Sequence, residues 1–184
     1  DNLSFDPDGV KEVTSQFFIK LQQAYSFFTM YANVDGFEYK EEDIEYKERP
    51  DFDRWILSEL NTLVKNVETY LDDYDPTPAG RLIQSFVIDN LSNWYIRLNK
   101  PRYWSGEMTI DKLSAYQTLY ICLDTLSRLI APIAPFFAEQ LYRDLNDVTG
   151  KDTTKSVHLA TFPTYREEYI DKELEVSMEA AMKV

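Results

Sequence analysis

A chain of 184 residues with 44% hydrophobic and 15% aromatic content can bury a sizeable core, which excludes a disordered chain. Its formal net charge of −13 repels phosphate and argues against sequence-independent binding of nucleic acid over the whole surface. One cysteine rules out an internal disulfide framework, and one histidine leaves too few members for a histidine metal cluster or a conventional catalytic triad.

In chain order, apolar residues recur at helical spacing, and with only five glycines the pattern predicts an all-α bundle of about five to six helices. A first helix is expected from Asp8 to about Asn33, with Val10, Val13, Phe17, Leu21 and Phe28 as its apolar stripe and Asn33–Gly36 as its stop. Glu38–Asp53 holds eight carboxylates against three cations and reads as a solvated connector. A second helix follows over Asp53–Leu71, with Ile56, Leu60, Leu63, Val67 and Leu71 on one side. Asp72–Pro78 is a turn; Asp72, Asp73 and Asp75 lack the glycine and distal glutamate of a calcium loop.

Thr77 and Pro78 form a helix start, and the third helix is expected to reach Asn99, because the residue before Pro101 is pushed out of helical geometry. The fourth runs from Thr109 or Ile110 to Ile130. It is apolar on more than one side and is therefore placed centrally. Pro132 and Pro135 interrupt it, and Phe136–Leu145 resumes as a short helix. Asp147–Ser156 is read as loop, Val157–Phe162 as a short extended segment, and Glu167–Val184 as a last helix without a packing partner. The expected division is a bundle over 1–146 and an appended stretch over 147–184. With no initiator Met and an amphipathic pattern still running at Val184, the chain reads as a piece of a longer protein.

Against this acidic background Asn93–Trp104, NWYIRLNKPRYW, carries two tryptophans, two tyrosines, two arginines and a lysine with no acid. Rings stack on bases, and guanidinium or ammonium groups pair with phosphates, so looped or single-stranded RNA is the partner this mixture suits. Ile83, Val87, Leu91, Trp94 and Leu98 share one face, which reads Trp94 as a core or core-edge ring before a stacking platform. Asn90, Asn93, Arg97 and Lys100 form a polar stripe beside it. Arg102 suits a phosphate or a guanine edge through its planar fork, while Tyr103 and Trp104 either stack or fold back as a lid. Three phosphate contacts give a salt slope of roughly −2 to −3, an accessory grip at physiological salt.

No other chemistry stands out, and no residue is assigned to catalysis or to a metal. Cys122 lies in an apolar helical pattern and His158 in SVHLATFP, both read as structural; no glycine-rich phosphate loop is present. No signal peptide or membrane span is found: the apolar run Leu129–Ala138 is short and holds two prolines. The lone cysteine suits a cytoplasmic location.

With those residues placed, the chain resembles the helical anticodon-binding region of isoleucyl-tRNA synthetases, a class Ia family. The likeness rests on six ordered blocks: DNLSFDPDGV, FFIKLQQAYSFFTMYANVDGF, DRWILSELN, NWYIRLNKPRYW, LIAPIAPFFAEQLY and SVHLATFP. The resemblance implies binding of the anticodon arm of isoleucine tRNA, with Asn93, Trp94, Arg97, Lys100, Arg102, Tyr103 and Trp104 as candidate contacts. It also implies catalytic and C-terminal domains elsewhere in the same polypeptide, and ATP and magnesium for the parent enzyme, with no cofactor held by this region. Lys100 stands where many relatives have arginine, which keeps the charge and loses the fork. Two other readings stay open: a bundle that docks another protein domain, and a valyl- or leucyl-type relative.

Overall fold

The computed structural model describes residues 6–104 and 106–183, and among them the fold is a bundle of helices with no strand. Helix α1 spans 7–35 as Pro7–Val13, a π-turned stretch Thr14–Phe18, and Ile19–Asp35. The Asp6 carboxylate accepts from the Asp8 N–H at 3.0 Å and caps its start. Gly36, at φ 68°, closes its end in the left-handed region that glycine enters without a Cβ penalty. Helix α2 is Asp51–Asp72 and α3 spans 76–104 as Pro76–Ser85, a π-turned stretch Phe86–Ile96, and Arg97–Trp104. Helices α4, α5 and α6 are Ile110–Ile130, Pro135–Thr149 and Lys172–Met182.

Helix α4 sits in the middle, as its all-round apolar pattern implies: Ala115, Leu119, Cys122, Leu123, Leu126 and Leu129 are inaccessible to solvent. Its start is the expected one, with the Thr109 hydroxyl accepting from the Lys112 N–H at 3.2 Å. Asp35, at the end of α1, takes the Lys112 ammonium at 2.5 Å and the Tyr116 hydroxyl, which ties the two helices together. Around this junction Phe28, Phe37, Tyr103 and Tyr116 meet ring against ring, including a Phe37–Tyr116 stack at 4.8 Å.

Four expectations are corrected. The connector after α1 is not simply a solvated loop: Phe37, Tyr39, Tyr46 and Arg49 are buried. The Arg49 guanidinium reaches the Ile44 and Ser114 carbonyls, the Thr118 hydroxyl and the Gln117 amide oxygen, so its donors are satisfied under cover. Val157–Phe162 is a turn running into irregular chain, without a strand partner. The Glu139 carboxylate draws it in by accepting from the Ser156 hydroxyl and the Val157 N–H. The last helix has a partner, because Glu175 of α6 accepts from Ser58 and Thr62 of α2 at 2.6 and 2.9 Å. Finally, α3 does not stop at Asn99 but runs through Pro101 to Trp104.

Candidate nucleic-acid interface

Proline inside a helix lacks the N–H for the carbonyl four residues back, and its ring crowds that carbonyl. Contacts on either side of Pro101 hold α3 together nonetheless. The Asp53 carboxylate of α2 is fully buried and accepts from both arms of Arg102, at 2.6 and 2.9 Å. It also accepts from the Tyr95 hydroxyl at 2.7 Å and the Ser114 hydroxyl at 2.5 Å. Arg102 completes its fork on the Asp111 side chain and carbonyl, at 2.9 and 2.7 Å, and on the Asn99 amide oxygen at 3.0 Å. The Tyr103 hydroxyl donates to the Ala115 carbonyl at 2.9 Å.

Burial works against the Arg102 charge, but the hydrogen bonds and field of Asp53 outweigh it and leave the guanidinium pKa above its ordinary value. Burial, and then the negative charge of Asp53, push the Tyr95 hydroxyl well up. Every oxygen of Asp53 is thus met by donors, the condition under which a buried charge is tolerated.

Arg102 therefore takes a different place from the one expected, and Tyr103 takes the second of its two readings, folded back under cover. Arg102 is committed to carboxylates, and Tyr103 is 2% exposed beneath Phe27 and Tyr116, so neither is presented to a ligand. Trp94 is half-buried and packs against the core, the core-edge position the pattern favoured.

The remaining candidates lie on the outside. Asn93, Arg97, Lys100 and Trp104 are all exposed and follow each other at steps of four, three and four, so they share one face of α3. Neither Arg97 nor Lys100 has a carboxylate partner among the described residues. Trp104 keeps 61% of its surface in solvent while its indole N–H donates to the Tyr31 hydroxyl of α1 at 2.8 Å. One edge of that ring is fixed and much of its surface is open. The stripe offers an amide, two cations and an aromatic surface, the set that hydrogen-bonds, neutralises phosphate and stacks.

The family model for the anticodon-binding domain of tRNA ligase matches residues 53–184. The chain belongs to that family. Over its whole length it is 62% identical to an isoleucine–tRNA ligase of Bacteroides thetaiotaomicron, 57% to one of Porphyromonas gingivalis and 53% to one of Cytophaga hutchinsonii. It spans about a sixth of these relatives, 16% of the first two and 17% of the third. The exposed stripe of α3, from Asn93 to Trp104, lies within the matched residues.

Sequence reasoning missed Asp53, Asp111 and Tyr31, which decide how the segment is presented. Asp53 and Tyr31 lie in other helices, and nothing in their own neighbourhoods marks them as partners of Arg102 and Trp104. The inward face of α3 also departs from the expected stripe through Trp94 and Leu98. Leu91, Tyr95, Asn99 and Tyr103 are buried at steps of four, and Leu98 is exposed, because the wider π turns of Phe86–Ile96 shift the phase of the inward face. Elsewhere, Cys122 is enclosed and burial pushes its thiol up. No cluster of three or more metal-ligating side chains occurs among the described residues, and no described helix is long and apolar enough to cross a membrane.

Proposed function

We infer that this domain grips the anticodon arm of isoleucine tRNA and positions it for ATP-dependent aminoacylation by other parts of a longer ligase. The observation that carries the reading is the exposed line Asn93, Arg97, Lys100 and Trp104, whose two cations have no carboxylate partner among the described residues of an otherwise acidic chain. Arg97 and Lys100 meet phosphates, Asn93 hydrogen-bonds, and Trp104 stacks on an unpaired base. The isoleucine specificity is supported by the isoleucine–tRNA ligases among the relatives. ATP and magnesium belong to the chemistry of the ligase as a whole, and its catalytic and C-terminal parts are the domain's partners. The cytoplasm is the proposed location, consistent with a buried, unpaired cysteine.

Titration of isoleucine tRNA at low salt, with Arg97→Glu and Lys100→Glu, tests this. Two phosphate contacts give a salt slope of about −1.4 to −1.8, and each reversal lowers both affinity and slope. Unchanged binding by both variants overturns the assignment.

A further inference from the structure

The stripe exists only because α3 stays helical beyond Pro101. Were the helix to end at Asn99, Lys100 and Trp104 would leave the line that Asn93 and Arg97 begin. Proline takes away the backbone donor for the Arg97 carbonyl and its ring crowds that carbonyl, so this last turn has one helical hydrogen bond fewer than an unbroken turn. Within α3 the Arg102 guanidinium reaches back over the proline to the Asn99 amide oxygen, and the other contacts that span the weak point come from outside it. Arg102, one residue past the proline, is gripped by Asp53 of α2 and Asp111 of α4, and Tyr103 is fastened to the Ala115 carbonyl of α4.

We propose that Arg102 is a positioning residue for RNA binding: by clamping α3 to Asp53 and Asp111 it holds Lys100 and Trp104 in register with Arg97 across the proline. It rests on the reading of the exposed stripe as the RNA contact. Arg102 itself touches no RNA in this arrangement, because its fork is filled by Asp53, Asp111 and Asn99. The clamp acts through geometry. Its grip on Asp53 is two-pronged, which fixes the direction of the guanidinium plane as well as its distance. A lysine at this position keeps one charge but cannot reproduce both prongs together with the two contacts to Asp111.

The device makes an unusual prediction about Pro101. If the clamp is needed because the proline weakens the turn, replacing the proline relieves the need. Arg102→Lys and Asp111→Ala are the working variants, because the Asp111 side chain is half exposed and its loss leaves the Asp53 pair in place. Each is combined with Pro101→Ala, which restores the backbone donor.

Two measurements are made: isoleucine tRNA affinity at low salt, and hydrogen exchange at the Arg102, Tyr103 and Trp104 amides without RNA. Arg102→Lys is expected to speed exchange and to weaken tRNA about tenfold, and the added Pro101→Ala to recover affinity to within about threefold. A stability control, Leu126→Ala, lies about 22 Å along α4 from Asp111 and is expected to leave tRNA affinity unchanged while lowering the unfolding midpoint.

Unchanged affinity in Arg102→Lys overturns the proposal, as does a loss that Pro101→Ala fails to restore, or an equal loss in the Leu126→Ala control. The parent reading fails separately, when Arg97→Glu and Lys100→Glu bind as the unmodified chain does.

Discussion

Asp53 and Arg102, forty-nine residues apart in the chain, meet as a two-pronged ion pair at 2.6 and 2.9 Å, with the carboxylate fully buried. The pair joins α2 to α3 directly beneath the exposed stripe, and Ser114 and Asp111 extend it to α4. One carboxylate thereby sets the relative position of three helices and the outward face of one of them.

Removing the carboxylate leaves the Arg102 charge, the Tyr95 hydroxyl and the Ser114 hydroxyl short of an acceptor. Asp53→Ala is expected to cost about 3–5 kcal/mol, the range for breaking a buried pair by deleting one partner. Urea denaturation followed by circular dichroism measures it; a loss of a few tenths would show the pair to be energetically idle.

Trp104→Ala is expected to weaken isoleucine tRNA by roughly five- to hundredfold, the equivalent of one stacked base at ~1–3 kcal/mol. Its stability should move little, since the ring is largely outside the core. Trp104→Phe keeps a stacking face and loses the Tyr31 hydrogen bond, so an intermediate affinity is expected. Parallel binding curves and melting curves separate the two effects.

The seam between α2 and α6 responds to pH. Burial, and then the neighbouring Glu175 charge, raise the Glu59 carboxyl to about 7, with the Trp55 indole N–H and Lys172 opposing and Glu179 adding to the rise. A carboxyl raised in the folded state holds its proton there after the unfolded chain has released it. Stability therefore falls as pH climbs from the ordinary carboxylate range to about 7, and levels off above. Glu59→Gln should flatten that slope and stabilise the domain at pH 8 by on the order of 1 kcal/mol, after allowance for solvent screening. Melting temperatures of both forms from pH 5 to about 8 test the sign.

Ser58 is the hinge pin of the same seam, donating to Glu175 at 2.6 Å and accepting the Asp171 N–H at 2.7 Å. Ser58→Ala removes both bonds from a buried site, a local loss of about 1–3 kcal/mol. Hydrogen exchange in Lys172–Met182 should quicken while exchange in α4 stays slow, because Glu175 is the only buried residue of α6 whereas α4 is largely buried. Uniform quickening through the bundle would contradict that.

Much of the architecture is legible from local chemistry. The Thr109 cap, the Gly36 stop, the proline interruptions after Ile130 and the all-round apolar pattern of α4 each act within a turn or two of chain, and all appear where their own residues place them. The last helix was visible as a pattern, but its partner was not, because the Ser58–Glu175 contact spans 117 residues.

By itself the sequence determined an all-helical bundle and one stretch, Asn93–Trp104, in which rings and cations gather without acid. Only the tertiary structure decided that Arg102 and Tyr103 turn inward while Arg97, Lys100 and Trp104 stay outside. Periodicity sees the spacing along one helix. The sorting depended on a buried carboxylate in another helix, whose desolvated charge had to be met by donors and which took Arg102 to meet it, carrying α3 past a proline that local rules treat as its end.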